Sequence, residues 1–127
     1  MRTKFTYVGI RVRNLKKSVR FYTKLLGMKE IGRSKIEATK GWVVGLESGD
    51  AKFQIELNYY PRSSPFYTKY AVGEGLDHLA FAVPNLDRAL KEAKWLGYHV
   101  VEEIQGKTSR WAYVKDPDGI WIEFFEG

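Results

Sequence analysis

Three side chains that can bind a metal ion or move a proton interrupt otherwise apolar runs of this chain: Glu56 in "FQIELNYY", His78 in "HLAFAV" and Glu123 in "IWIEFF". Two carboxylates and an imidazole brought together would repel or desolvate one another unless protons or a cation compensated them. A divalent metal ion is the natural compensator, since carboxylate and imidazole groups are among its usual ligands. We therefore ask whether the fold brings these groups together.

Strand-like alternation predicts that these groups share one face of a sheet. Residues that alternate along a strand point to opposite faces. The apolar face predicted for the core contains Val8, Ile10, Val12, Phe53, Ile55, Leu57, Leu79, Phe81, Val83, Ile120, Ile122 and Phe124. The opposite face contains Tyr7, Gly9, Arg11, Gln54, Glu56, Asn58, His78, Ala80, Ala82, Trp121, Glu123 and Phe125.

An internal repeat predicts the elements that carry this face. An offset of 71 aligns Asn14 with Asn85, and a one-residue slip then aligns Gly27 with Gly97. Both copies have a short strand, an Asn in N-cap position, an amphipathic helix and a Gly beyond its end. Strand and turn signals follow each helix, among them "ESGD" and "DPDG". We predict an α+β fold in one domain, residues 1–127, with two βαβββ repeats at about 5–58 and 76–126 and a connection at about 59–75.

The repeat also relates the polar residues to one another. Glu56 corresponds to Glu123 by an offset of 67, and Tyr7 corresponds to His78 by an offset of 71. Packing of the copies with pseudo-twofold symmetry would make these four side chains converge on one concave surface. Taken singly, each has another explanation: a hydrogen-bonded core histidine or a solvent-facing strand glutamate. Taken together, the alternatives to metal binding are an empty site and a pair of carboxylates that share a proton.

Composition limits the class of protein. The chain has 127 residues, is 44% hydrophobic and has no cysteine, which suits one compact intracellular domain and excludes disulfides and cysteine metal ligands. No apolar run is long enough to span a bilayer, and the N-terminus lacks the apolar segment of a signal peptide. We expect a cytoplasmic protein that does not associate with membranes.

The net charge of +6 is unevenly distributed: residues 1–71 contain 15 Lys and Arg against 5 Asp and Glu, whereas residues 72–127 contain 6 against 10. Several of these basic residues form one solvated face of the first predicted helix; they are Arg13, Lys16, Lys17, Arg20 and Lys24. No motif of nucleic-acid binding accompanies them, so we expect no nucleic-acid partner. An anionic small-molecule substrate would suit this charge.

The chain resembles the vicinal oxygen chelate superfamily, which includes glyoxalase I, bleomycin resistance proteins and extradiol dioxygenases, and it is most similar to small glyoxalase I-like members. The resemblance covers nearly the whole chain through "NLKKSVRFYTKLLGMKE", "FQIELNYY", "GLDHLAFAVPNL" and "YVKDPDGIWIEF". It implies a curved mixed sheet with an open cleft. It also implies a divalent metal ion, zinc or nickel in the family's glyoxalases, with manganese, cobalt or iron as alternatives.

The family's metal ligands occur in the order His or Gln, Glu, His, Glu. Glu56, His78 and Glu123 match the last three positions, and Tyr7 stands at the first. A phenol with a pKa near 10 is a poor zinc ligand at neutral pH. Three interpretations follow: a metal ion held by three protein ligands and water, a phenolate ligand at Tyr7, or a weakened or lost site.

The resemblance further implies a lyase or isomerase reaction on an enolisable carbonyl such as a thiol hemithioacetal, by proton transfer through a metal-stabilised enediolate. Glu123 would be the principal base and Glu56 its symmetry mate. The superfamily's ring-cleaving dioxygenases need two His and one carboxylate, and the other histidine, His99, lies far from the ligand positions.

Substrate-binding residues implied by the same comparison are Arg11, which matches a position that helps to bind glutathione carboxylates, together with Asn58, Tyr60 and Trp121. Tyr60 stands where many relatives have Asn. Trp121 adds bulk to the face opposite to the predicted core, which contains Glu56, His78 and Glu123 and is called the ligand face below. An altered or smaller pocket is therefore expected. The nearby Tyr59, Tyr60, Phe66, Tyr67 and Tyr70 suit either a substrate pocket or dimer packing.

A second function stays open. A metal-free protein of the bleomycin-resistance kind would use the same fold to bind a small molecule in an aromatic cleft, which Tyr7 and the Trp- and Tyr-rich composition favour. For either function the resemblance implies a homodimer. Each of its sites would combine Tyr7 and Glu56 of one chain with His78 and Glu123 of the other.

Overall fold

The computed structural model describes residue 2, residues 6–73, residue 76, residues 78–106 and residues 108–127. The predicted repeat boundary at residue 5 and the last residues of the predicted connection, 74 and 75, lie outside this part. Two compact units divide the chain, a first unit of Met1–Tyr70 and a second unit of Ala71–Gly127. The expectation of a single domain stays a prediction.

In its described residues, the first unit has one helix and four strands. Its elements are β1 (Val8–Arg11), α1 (Leu15–Arg20) with a π-helical turn (Phe21–Leu25), β2 (Lys29–Ile36), β3 (Gly41–Glu47) and β4 (Gln54–Tyr59). The strand order in the sheet is β1-β4-β3-β2, with β1 parallel to β4 and the other two pairs antiparallel. The parallel pair is possible because the connection from β1 to β4, which contains α1, β2 and β3, is long enough for a crossover.

The second unit repeats this arrangement. Its elements are β5 (His78–Val83), α2 (Leu86–Trp95), β6 (Val100–Gln105), β7 (Arg110–Lys115) and β8 (Trp121–Glu126). The strand order is β5-β8-β7-β6, with β5 parallel to β8. The α+β class and the two tandem βαβββ modules are therefore confirmed.

Both helices begin as the sequence predicts. The side chain of Asn14 accepts a hydrogen bond from Lys17 N at 3.0 Å, and that of Asn85 accepts one from Arg88 N at 2.9 Å. Each satisfies an amide that the first helical turn leaves without a partner. The glycines that follow the helices, Gly27 and Gly97, have φ values of 66° and 89°, a conformation that glycine adopts without steric cost.

The π-helical turn explains the one-residue slip between the repeats. Thirteen positions separate Asn14 from Gly27, whereas twelve separate Asn85 from Gly97. A π-helical turn accommodates one extra residue within a helix without changing the residues on either side. The turn at Phe21–Leu25 therefore absorbs the extra residue of the first copy and returns the chain to the same exit.

The core of each unit lies between its helix and the apolar face of its sheet, since α1 contacts β4 and α2 contacts β8. Fully or almost fully buried residues of this layer are Ile10, Val12, Phe21, Tyr22, Leu57, Leu86, Leu90, Ile122 and Phe124. The prediction of a buried Phe53 is wrong: this residue precedes β4 at the end of the "ESGD" turn, and its side chain is 69% exposed.

Within the described part of the chain, none of the helices has the length and hydropathy that crossing a membrane would require.

Candidate active site

His78 and Glu123 lie side by side in the second unit. They belong to the parallel strands β5 and β8, in a register that pairs His78 with Trp121 and Ala80 with Glu123. The imidazole Nε2 of His78 is 3.1 Å from Oε2 of Glu123, and both side chains are partly buried. Alternation of side chains along the two strands is the reason that these groups meet on one face.

The distance between these two atoms fits a shared metal ion. Ligand atoms about 2.1 Å from a metal ion and at right angles to each other are roughly 3.0 Å apart. The same 3.1 Å also fits a hydrogen bond if Nε2 carries a proton. The pair can therefore bind a divalent cation or share a proton, which are the two chemical uses proposed for these residue types.

Tyr113 completes this group, although it was not among the predicted site residues. It lies on β7 directly opposite Glu123 in the antiparallel register with β8. Its hydroxyl donates to Oε2 of Glu123 at 3.3 Å. Alternation in "RWAYVK" contains the signal, because Tyr113 falls on the face opposite to the buried Ala112 and Val114.

Aromatic rings surround the histidine and the glutamate. The ring of Tyr113 packs edge-on against that of His78, with centroids 5.8 Å apart, and against that of Trp121 at 5.1 Å. Trp121 itself is 38% exposed. The ligand face of the second unit is thus partly shielded from water, which strengthens electrostatic interactions within it.

Glu56 occupies the equivalent position in the first unit. Its strand β4 pairs it with Gly9 of β1 and with Gly45 of β3. Its cross-strand neighbours therefore have no side chains, whereas Glu123 lies between Ala80 and Tyr113. Asn58, two residues further along the same face, donates from Nδ2 to the backbone oxygen of Glu56 at 3.1 Å, so its amide is used within the strand.

Tyr7 lies just outside β1 and is 48% exposed. In the parallel strand pairs, Gly9 lies opposite Glu56 and Ala80 lies opposite Glu123. Tyr7 is two residues before Gly9, and His78 is two residues before Ala80, so the two side chains occupy equivalent positions. The register of the strands thus agrees with the repeat alignment.

Arg11 contacts the segment that follows β4. Both terminal nitrogens of its guanidinium donate to Thr68, Nη1 to the hydroxyl at 2.8 Å and Nη2 to the backbone oxygen. The guanidinium also lies over the rings of Tyr67 and Tyr70, with its carbon 5.2 and 5.9 Å from the ring centroids. Both terminal nitrogens of the Arg11 guanidinium are thus used by Thr68.

The predicted substrate residue Tyr60 packs within the first unit. Its ring lies edge-on to that of Phe66, with centroids 5.8 Å apart. A methyl group on Gly41 would approach Cδ1 of Tyr60 to 2.8 Å, so glycine is required there for the ring to lie against β3. The tyrosine is therefore held by its own unit and forms part of the folded segment after β4.

A groove of about 670 Å³ runs beside Glu123 in the second unit. Its lining includes Trp111 and Phe125, with Gln105, Thr108 and Ser109. Trp111 and Phe125 are cross-strand partners on the same face as Glu123. The groove was not predicted, because the sequence analysis assigned no face to β7.

The structure thus brings together His78 and Glu123, with Tyr113 and Trp121, and it places Glu56, Gly9, Asn58 and Arg11 on the corresponding face of the first unit. Among the residues that the structure describes, no group of three or more His, Asp or Glu side chains is arranged to hold a metal ion. The complete set of ligands stays a prediction.

Comparison with known proteins shows the family of the chain. Residues 4–124 match the Glyoxalase/Bleomycin resistance protein/Dioxygenase superfamily. A lactoylglutathione lyase of Escherichia coli O157:H7 is 32% identical over 124 residues, 92% of this chain and 87% of the relative. A lactoylglutathione lyase of Haemophilus influenzae is 31% identical over 122 residues, with the same coverage of 92% and 87%.

A solved structure of a glyoxalase I is similar to this chain in its fold. The trypanothione-dependent glyoxalase I of Leishmania major has 26% identity and a TM-score of 0.77, with 98% of this chain and 87% of that chain covered. The chain therefore belongs to the glyoxalase/bleomycin resistance protein/dioxygenase superfamily, that is, the vicinal oxygen chelate proteins, and stands close to its glyoxalase I-like members.

Proposed function

We propose that this protein is a glyoxalase I-like lyase that isomerises a hemithioacetal formed from a 2-oxoaldehyde and a thiol. The observation that carries the proposal is the contact of His78 with Glu123, 3.1 Å apart on one sheet face, in a chain about 30% identical to lactoylglutathione lyases. A carboxylate beside an imidazole on a partly shielded surface suits the transfer of a proton between adjacent carbons.

Glu123 is the proposed base. Its carboxylate removes the proton from the carbon that carries the hydroxyl and the sulfur, and returns a proton to the neighbouring carbonyl carbon. The hydroxyl proton passes to the oxygen of the former carbonyl. The hydroxyl carbon becomes the thioester carbonyl and the former carbonyl becomes an alcohol, so the reaction needs no oxidant or reductant. Tyr113 and Trp121 limit the access of water to the carboxylate.

Glu56, His78 and Glu123 are the residues that would hold a divalent metal ion, zinc or nickel first and manganese, cobalt or iron as alternatives, with Tyr7 at the fourth ligand position. When bound, the metal ion would polarise the substrate oxygens and stabilise the negative charge that develops during proton transfer. The fit of the donor set supports this assignment, since two carboxylates and an imidazole match a borderline divalent cation.

The substrate is proposed to be anionic. The basic first part of the chain and the guanidinium of Arg11 on the ligand face support this choice. Relatives include lactoylglutathione lyases and a trypanothione-dependent glyoxalase I, so glutathione and trypanothione are the first thiols to test. Binding of a substrate carboxylate by Arg11 would require its Nη atoms to leave Thr68 or to be shared with it.

A homodimer with shared sites is part of the proposal. Glu56 and Tyr7 of one copy would join His78 and Glu123 of the other. Metal affinity should then fall when the protein is diluted below the dimer dissociation constant. A fully metal-loaded monomer in sedimentation experiments would contradict shared sites.

The decisive experiment measures thioester formation from methylglyoxal with glutathione and with trypanothione, after reconstitution with zinc or nickel. Wild-type protein should turn over at least one of these mixtures, and Glu123→Gln should lower kcat by about a hundredfold or more. Glu102→Gln, which removes an exposed carboxylate of β6, is the matched control and should keep full activity. Absence of turnover with every metal and thiol would contradict the proposal.

The second candidate is a metal-free small-molecule binding protein, and the groove beside Trp111 and Phe125 is the observation that favours it. A groove of about 670 Å³ with two aromatic rings in a polar lining can bind an organic molecule without any metal ion. Metal analysis separates the two functions. A protein that takes up no divalent metal even after reconstitution, yet binds aromatic ligands in the groove, is a binder.

A further inference from the structure

The two glutamates of the repeat differ in their surroundings, although they occupy equivalent positions. Glu123 faces Tyr113 across the antiparallel pair of β7 and β8, whereas Glu56 faces Gly45 across the pair of β3 and β4. Only the second of these positions therefore gives the carboxylate a neighbouring hydroxyl. This asymmetry is a property of the chain that its repeat symmetry does not predict.

We propose that Tyr113 is a positioning residue of the site, whose hydroxyl holds the Glu123 carboxylate in the orientation that His78 and a bound metal ion require. The inference rests on the proposed function and assigns this residue a role within it. Its basis is the convergence of two groups on one oxygen: the Tyr113 hydroxyl at 3.3 Å and the His78 Nε2 at 3.1 Å from Oε2.

The position of the hydroxyl is fixed by the packing of its ring. The Tyr113 ring contacts that of His78 at an interplanar angle of 80° and that of Trp121 at 49°. Contacts with two rings restrict the rotation of the tyrosine side chain. The hydroxyl is thus held in place before any ligand binds, which is the condition for orienting another group at low entropic cost.

The hydrogen bond distinguishes the two oxygens of Glu123. Oε2 is directed towards Tyr113 and His78, so Oε1 is outside this pair of contacts. A glutamate side chain on a strand otherwise loses considerable rotamer freedom when it binds a metal ion or a substrate. Hydrogen bonds from neighbouring residues to metal ligands lower this cost, and their loss typically weakens metal binding about 10- to 100-fold.

The test is the Tyr113→Phe variant, which removes the hydroxyl and keeps the ring. Zinc affinity of wild type and variant is measured by competition with a chromophoric chelator, and the absorption spectrum of bound cobalt reports the ligand geometry. We expect about tenfold weaker zinc binding, at the lower end of the usual range because 3.3 Å is a long hydrogen bond, and a changed cobalt spectrum. In turnover, the loss should appear in kcat more than in KM.

Tyr98→Phe is the matched control, since it removes a tyrosine hydroxyl after α2 in the same unit, away from the proposed site. Its zinc affinity and cobalt spectrum should equal those of wild type. Equal losses in both variants would overturn the positioning role, because the effect would then not depend on contact with Glu123. A metal-free Tyr113→Phe protein that is unfolded in a melting experiment would also overturn it.

Failure of the inference is distinguishable from failure of the proposed function. Wild-type protein that binds zinc and is active, together with a Tyr113→Phe variant of unchanged affinity and spectrum, overturns the role of Tyr113 alone. Wild-type protein that binds neither zinc nor cobalt overturns the metal-dependent function, and the role of Tyr113 with it.

Discussion

At the scale of single residues, the chemistry depends on which face of a strand each side chain occupies. Period-two alternation predicted that Glu56, His78 and Glu123 lie on the face opposite to the core, and the registers of β1 with β4 and β5 with β8 agree with it. Tyr113 was not predicted, because the side chains of its strand, β7, were not assigned to either face of the sheet. The contact of Arg11 with Thr68 could not be predicted, since it depends on the path of an irregular segment.

A prediction at this scale concerns the space beside Glu56. Gly9 is its cross-strand neighbour on β1, and a Gly9→Leu variant places a branched side chain next to the carboxylate. A Cβ at this position would already lie 3.3 Å from Nδ2 of Asn58. We expect at least tenfold weaker zinc binding with little change in the melting temperature, because an exposed strand position tolerates leucine.

Gly32→Leu is the matched control for this variant. Gly32 lies on the edge strand β2, and a Cβ there would meet no atom within 4 Å. Calorimetric zinc titrations of both variants decide the outcome. Equal affinities of wild type and Gly9→Leu would show that the surroundings of Glu56 do not belong to a metal site.

At the scale of elements, the start and end of each helix were predictable because they depend on local chemistry. Asn14 and Asn85 are caps, and Gly27 and Gly97 provide the left-handed exit. The π-helical turn between Phe21 and Leu25 was visible in the sequence only as a slip of one residue. Its structural form was not predictable, since an insertion can equally lengthen a loop.

Deletion of Lys24 tests this account of the slip. The residue is exposed within the π-helical turn, and its removal should restore an ordinary α-helix with the length found in the second copy. Deletion of Lys91 from α2 is the control, since that helix has no extra residue and its buried face would be displaced. We expect the Lys24 deletion to lower the melting temperature by less than half as much as the Lys91 deletion does. Equal decreases in the two variants would contradict the account.

An ion pair links α2 to β7 and gives a prediction for pH. Arg110 Nη2 lies 2.8 Å from Oδ1 of Asp87, and the hydrogen bond to Arg110, with its charge, lowers the pKa of this carboxyl. Because the pKa is lower in the folded state, the stabilisation is present at neutral pH and is lost as the pH falls below about 4 through the folded-state pKa. Exposure to solvent keeps it small.

Urea unfolding of wild type and Asp87→Asn at several pH values measures this effect. The difference in unfolding free energy should be present at pH 7 and should shrink as the pH is lowered from about 4 towards 2. Lys115→Gln changes an exposed charge at the far end of β7. Its difference in unfolding free energy from wild type should not shrink in this way at low pH. A difference that grows towards low pH would contradict the assigned sign.

At the scale of the whole molecule, the duplication predicted the tandem βαβββ modules and the equivalence of Glu56 with Glu123. The sequence could not predict whether a site combines residues of one chain or of two. Repeat symmetry predicts that Glu56 and Glu123 occupy equivalent positions. Whether they lie close enough to bind one metal ion depends on contacts between units or between copies of the chain. Glu56, half-buried beside its cross-strand neighbours Gly9 and Gly45, is the residue on which this question depends.

The central claim is that Glu56, His78 and Glu123 hold one divalent metal ion together. Its most direct measurement is a crystal structure of the protein reconstituted with zinc or nickel, with anomalous diffraction recorded at the metal edge. The account predicts one strong anomalous peak per site, about 2.0–2.2 Å from the His78 nitrogen and from an oxygen of each glutamate. A peak elsewhere, or no peak between these three side chains in any assembly present in the crystal, would contradict it.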